Sequence, residues 1–138
     1  MRRIEPHQLW VGNARDARDW AALARAGIEV IVDLAVNEPV NSPPREMVYC
    51  RFALTDGMGN PSWRIAAAVR CVAHLIAEGT PVLVHCSAGM SRAPSIAAAG
   101  LALATGEEAG ACLARIEEYG GVDVSPRMWA AVVAALRD

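Results

Sequence analysis

The sequence predicts one α/β domain, spanning residues 1–138, with a mainly parallel central sheet of about five strands flanked by helices. Three observations predict it. Short apolar runs without helical spacing, at residues 28–34 and 81–85, read as strands buried on both faces. Stretches whose apolar residues recur at helical spacing lie between them, and Gly27 and Gly79 stand where those helices would stop. Nothing in the 138 residues reads as a linker, a repeat or a low-complexity segment, and that length suits one domain with one core. Alternation of this kind implies helices on both faces and a site at the carboxyl ends of the strands.

The elements follow in order. Residues 16–26 form a helix with Trp20, Leu23 and Ala24 on one face, then Gly27 and the buried strand 28–34. Residues 36–46, with three prolines and two asparagines, are a loop placed to act as a rim for substrate choice. Residues 47–54 alternate and read as a strand, 63–77 as a helix ended by Gly79, and 81–85 as the central strand that delivers Cys86. Residues 93–104 make an apolar, buried helix with Pro94 in its first turn. Thr105-Gly106-Glu107-Glu108 has the spacing of a capping box for a helix reaching Tyr119, and Ser125 caps the last helix with Pro126 at its first position.

The most informative run is Val82-Leu83-Val84-His85-Cys86-Ser87-Ala88-Gly89-Met90-Ser91-Arg92-Ala93-Pro94. A strand ends at a cysteine, five small or flexible residues follow, and an arginine opens a helix. Such a loop can turn its backbone N–H groups inward, and the helix end adds unpaired donors and partial positive charge, a nest suited to a tetrahedral dianion. Gly89 permits positive φ, while Ser87, Ala88 and Ser91 allow close backbone approach. Arg92 adds a planar fork for two oxygens, and the same field favours the Cys86 thiolate as nucleophile.

On these residues the chain resembles the protein tyrosine phosphatase superfamily, in the form of its small dual-specificity phosphatases, whose phosphate loop is His-Cys-x5-Arg. The resemblance runs along the chain: residues 4–12 look like the family's opening strands, residues 23–34 like its helix and following strand, and Ser125-Pro126 stands where its closing helix starts. It implies a protein tyrosine phosphatase-like fold and hydrolysis of phosphomonoesters, phosphotyrosine and in some members phosphoserine or phosphothreonine, through a phosphocysteine. Cys86 would be the nucleophile, with Arg92 and the loop residues Ser87, Ala88, Gly89, Met90 and Ser91 binding the phosphate. The family also needs a general acid, an aspartate on a flexible loop about thirty residues before the cysteine. Asp56 stands at that place, with Gly57 and Gly59 just after it to give a mobile loop, although Asp-Gly is also an ordinary turn pair. Asp33, inside an apolar strand pattern, and Asp16 and Asp19, in an early helix, fit the role worse. His85 would order the loop without transferring protons, whereas His7 and His74 lack any such context and Glu117 and Glu118 read as a solvated helix face.

One position departs from the family. The residue after the arginine is usually serine or threonine, whose hydroxyl helps the cysteine leave when the phosphoenzyme is hydrolysed; here it is Ala93, and Ser91 and Ser95 are the nearby hydroxyls that can substitute. Loss of one hydrogen bond to a charged group costs about 1.5–3 kcal/mol, so that step should slow roughly ten- to a hundredfold. Ala93 therefore keeps a second reading open, a phosphatase-like module that captures phosphorylated partners without turnover. A rhodanese-like sulfurtransferase is a remote third, since its loop is typically shorter and does not need Asp56.

Composition bounds the setting. All thirteen basic residues are scattered arginines and the net charge is −2, so no groove for nucleic acid is expected. No apolar run approaches a bilayer span and the N-terminus lacks a secretory apolar region, so a cytoplasmic monomer acting on phosphoproteins or small phosphoesters is expected, away from membranes. Cys50, Cys71, Cys86 and Cys112 show no metal-ligand spacing, and neither metal nor cofactor is expected. Cys71 and Cys112 read as small buried hydrophobes; Cys50, in the strand before Asp56, reads first as a buried free cysteine, with a protective disulfide at the site as the lesser alternative.

Overall fold

Strands that are covered on both faces must be apolar throughout, and Leu9–Gly12 (β2), Val30–Ala35 (β3) and Val82–His85 (β5) are buried along their whole length. In the computed structural model, which describes residues 1–137, Arg2–Arg3 (β1) and Val48–Leu54 (β4) complete a five-stranded sheet in the order β1-β2-β5-β3-β4. Only β1 runs antiparallel; the other pairings are parallel, which makes the sheet mixed but mainly parallel. The register aligns Gly12, His85 and Asp33 across β2, β5 and β3, so the three central strands end together along one edge. That edge carries the cysteine.

The helices divide unequally between the two faces. Trp20–Ala26 (α1) lies on one, where Leu23 packs with Trp10, Ile28, Ile31 and Leu83. Ser62–Glu78 (α2), Arg92–Thr105 (α3), Ala109–Glu117 (α4) and Pro126–Leu136 (α5) cover the other and enclose the main core. Helix α3 is buried continuously from Arg92 to Ala102. Its small residues let α2 come close: a Cβ at Gly100 would lie 2.6 Å from Val72 Cγ1.

Two expected elements differ. The helix expected at 16–26 is broken at Asp19, whose ψ of 73° is not helical. Asn13 and Asp16 exchange side chain-to-backbone hydrogen bonds and hold Asp16–Arg18 as a single 3-10 turn, after which the Asp19 carboxylate accepts from Ala22 N and caps α1. Of the expected apolar face only Leu23 is buried; Trp20 and Ala24 are exposed. The capping box at 105–108 does not form either. Thr105 is the last residue of α3 and donates back to Leu101 O, while Glu108 alone caps α4 through Gly110 N and Ala111 N. The pattern straddles the end of one helix and the start of the next, which sequence spacing does not distinguish. Ser125 and Pro126 begin α5 as expected.

Candidate active site

The Cys86–Arg92 loop, the expected phosphate loop, is built from backbone. Cys86, 2% exposed, follows β5, and the chain turns through Ser87–Ser91 into α3. Gly89 makes the turn at φ +75°, and a Cβ there would come 2.7 Å from Gly12 O, so the residue is restricted both by conformation and by space. The end of β2 backs the loop: Ala14 N donates to Ser87 O at 3.1 Å, and Arg2 Nη2 reaches Gly89 O at 3.3 Å. Ala93 N donates to Cys86 Sγ at 3.4 Å, so the sulfur sits against the first turn of α3. This contact bears on the missing hydroxyl: Ala93 is fully buried, but its backbone already supplies one donor to the sulfur. Neither candidate substitute donates to the Cys86 sulfur. The Ser91 hydroxyl is committed elsewhere, and Ser95 Oγ is buried without a hydrogen-bond partner among the described residues.

Arg92 is positioned from two directions. Its Nη1 donates to Leu54 O at 2.8 Å, at the end of β4, and to Asn37 Oδ1 at 3.0 Å, which fixes the plane of the guanidinium and leaves its other donors for an oxyanion. Asn37 belongs to the expected rim loop, and so does Glu38, whose carboxylate accepts from Ser87 Oγ at 2.5 Å. Arg51 organises that loop by donating to Ala35 O, Val36 O and Glu38 O. Asn37, Glu38 and Arg51 went unremarked in the sequence because their roles rest on tertiary contacts; the loop's Asn and Pro content was the only local sign.

Asp56 meets the phosphate loop directly. Ser91 Oγ donates to Asp56 Oδ1 at 2.6 Å and accepts from Ser125 N at 2.9 Å, so one hydroxyl ties the aspartate, the loop and the start of α5 together. The turn carrying Asp56 is closed by its own side chains: Thr55 N donates to Asn60 Oδ1 and Asn60 Nδ2 to Thr55 O, both at 2.8 Å. Asp56, Cys86, Ser87, Ala88, Met90, Ser91 and Arg92 line one hollow of about 180 Å³, and Asp123 lines it too. Asp123 is held there by its backbone N–H on Met90 O, and nothing in its local sequence marked it. A neighbouring depression of about 250 Å³ shares Asp56 and Arg92 and is walled by Val36, Asn37 and Thr55.

Behind the loop, His85 Nδ1 lies 3.1 Å from Cys86 O, and because a carbonyl only accepts, Nδ1 carries the proton. Burial pushes the imidazole below its ordinary 6.5, against the upward pull of Asp33. With His85 neutral, the 3.6 Å approach of Nε2 to Asp33 Oδ1 is not an ion pair. Asp33, only 1% exposed, is instead satisfied by Tyr49 Oη at 2.5 Å and Ala35 N at 2.8 Å. It supports the strand ends and does not reach the hollow. Cys50 is a free, half-buried cysteine in β4. Cys112 is fully buried, as expected, but Cys71 is only half-buried. No helix is long and apolar enough to cross a membrane among the described residues.

Comparison with known proteins agrees with this geometry. The family model described as "Polymorphic toxin system, DSP-PTPase phosphatase" matches residues 8–107, which include the strands that frame the site, Asp56 and the whole phosphate loop. No curated protein matches the chain. Among solved structures, human DUSP28 is similar at TM-score 0.86 and 20% identity, over 99% of this chain and 96% of that one. A mouse putative dual specificity phosphatase complexed with zinc tungstate is similar at 0.86 and 22%, over 99% and 86%. The human tyrosine phosphatase-like serine/threonine/tyrosine-interacting protein is similar at 0.80 and 19%, over 97% and 93%. At these identities the likeness is one of fold.

Proposed function

The chain belongs to the DSP-PTPase phosphatase family of polymorphic toxin systems, and from that premise we propose that it hydrolyses phosphomonoesters, phosphotyrosine among them, with Cys86 as nucleophile, Arg92 as oxyanion clamp and Asp56 as general acid. The observation that carries the assignment is the single hollow lined by all three residues together with the loop Ser87–Ser91.

The steps follow from the contacts. The phosphate oxygens sit against the inward backbone N–H groups of residues 87–92 and the free donors of Arg92. Cys86 Sγ attacks phosphorus, the bond to the leaving oxygen breaks, and Asp56 gives that oxygen its proton. The Ser91 hydroxyl occupies Asp56 Oδ1, so Oδ2 is the oxygen left to carry the proton. Water then attacks the phosphocysteine while Asp56 takes its proton, and the sulfur leaves as a thiolate received by Ala93 N–H. Asn37 and Glu38 hold Arg92 and Ser87 in place from the rim. The mouse putative dual specificity phosphatase of similar fold is complexed with zinc tungstate, which supports oxyanion binding by a domain of this shape. Four free cysteines and a thiolate nucleophile suit a reducing, cytoplasmic setting, with substrates among phosphoproteins or small phosphoesters.

A second reading rests on Ala93: breakdown of the phosphoenzyme slow enough for the domain to act as a phosphate-capturing module. Rapid-mixing hydrolysis of para-nitrophenyl phosphate without added metal, beside Cys86→Ser, tests both. The expected result is a phenol burst near enzyme stoichiometry, then turnover slowed roughly ten- to a hundredfold by the missing hydroxyl, all of it abolished in Cys86→Ser. Absence of any Cys86-dependent phenol release sinks the enzyme and leaves the module.

A further inference from the structure

The hollow that holds Asp56, Cys86 and Arg92 has one more charged residue on its wall. Asp123 lies in the stretch between α4 and α5 and lines that hollow. Two hydrogen bonds strap the stretch onto the Cys86–Arg92 loop: Asp123 N donates to Met90 O and Ser125 N to Ser91 Oγ, both at 2.9 Å. The backbone of Asp123 is therefore fixed beside the cradle, while the residue itself is exposed. Its carboxylate has no hydrogen-bond or ion-pair partner among the described residues. The usual duty of an acidic residue in this place is to cap α5, but Ser125 does that by accepting from Met128 N. Arg127, the nearest arginine along the chain, turns to Met58 Sδ. On the other side, the depression toward Val36 and Thr55 adds no charge beyond the Asp56 and Arg92 it shares with the hollow.

In the reactive state Asp56 carries its proton and the Arg92 charge meets the phosphate, so Asp123 is the fixed negative charge left in the hollow. An unpaired carboxylate there opposes a phosphate dianion that arrives alone and favours one that brings a positive charge with it. We propose that Asp123 is a specificity residue: it selects phosphorylated peptides with arginine or lysine beside the phosphorylated residue, and disfavours those with aspartate or glutamate there. This role rests on the phosphatase reading and narrows its substrate class. Arginine suits it best, because its planar fork can pair with both carboxylate oxygens. The charge of Asp123 is the same before and during P–O cleavage, so its effect belongs to binding and falls in KM. For charges about 7 Å apart in water, exchanging arginine for alanine, or alanine for glutamate, changes affinity about threefold.

Phosphotyrosyl peptides that are identical except for arginine, alanine or glutamate on both sides of the phosphotyrosine test this on the full chain. The expected order of kcat/KM is arginine, alanine, glutamate. The two ends should differ about fivefold at about 10 mM salt and about twofold at about 200 mM, with the difference in KM. Asp123→Asn should bring the peptides together, while Asp123→Glu, which keeps the charge, should keep the order. Glu78→Gln, the same loss of charge at the far end of α2, should keep it as well. Dissociation constants of the same peptides on Cys86→Ser, with and without Asp123→Asn, read the preference by fluorescence anisotropy without any turnover. An order that survives Asp123→Asn would overturn the proposal, as would one lost equally in Glu78→Gln or one carried by kcat at equal KM. Absence of Cys86-dependent phenol release from para-nitrophenyl phosphate would sink the catalytic reading alone, and the Cys86→Ser dissociation constants would still decide the role of Asp123.

Discussion

The Cys86–Arg92 loop, proposed to bind phosphate, and the Asp56 turn are both short, glycine-bearing connections that follow a strand, yet they are held by different means. The phosphate loop lies between the buried β5 and the buried α3, and backbone contacts to Gly12 and Ala14 keep it in place. The Asp56 turn follows the edge strand β4 and is held by side chains: Thr55 and Asn60 within it, Ser91 across from it. A backbone-held loop tolerates side-chain change as long as residues stay small, which is how Ala93 can stand where a hydroxyl is usual. A side chain-held turn depends on individual atoms. The difference predicts where each will break.

Gly89→Ala should do the most damage. The new Cβ enters the space of Gly12 O in a left-handed conformation, so the cradle must deform, with activity down about 10³-fold and loss of tungstate binding by calorimetry. A variant that binds tungstate normally would mean that the loop is less constrained than its backbone contacts imply. Asp56→Asn should cost about 10²-fold, and the fall in rate on the alkaline side of the pH profile, which reports loss of the acid proton, should disappear. Retention of that limb would assign the proton to another group, with Asp123 the next carboxylate in the hollow.

Ser91→Ala removes the latch but leaves both the acid and the cradle. A loss of roughly tenfold is expected, larger for alkyl than for aryl phosphates because alkyl leaving groups need the proton more. An equal loss for both substrates would place the role of Ser91 in binding. The smallest effect concerns His85. Burial lowers its pKa in the folded chain, so below its ordinary 6.5 the unfolded chain takes up a proton that the folded chain refuses; stability should fall as pH drops through that value. His85→Asn should flatten this dependence in melting curves recorded between about pH 5 and 7.5.

What could be read without coordinates follows the same division. Cys86, Gly89 and Arg92 belong to one continuous run whose residue types state its geometry, and the buried strands β3 and β5 are visible as apolar runs. Asp56 was reachable only through a family resemblance, since Asp-Gly by itself reads as a turn. Asn37, Glu38, Arg51 and Asp123 were out of reach, because each acts on a partner distant in sequence and no local pattern marks such a pairing. The misread helix at 16–26 and the misread capping box have one cause. In both, an acidic side chain, Asp19 or Glu108, caps a helix that starts later than spacing alone suggests.

The Ser91 latch has an energetic consequence for the choice of substrate. An acid that must be swung into place draws on binding energy from parts of the substrate remote from phosphorus, and such an enzyme turns over small esters poorly. With Asp56 as the acid of the proposed mechanism, its hydrogen bond from Ser91 already holds it against the Cys86–Arg92 loop, so that expense does not arise. Turnover should therefore depend little on what surrounds the phosphate, and selectivity among phosphorylated targets falls to encounter and fit at the rim.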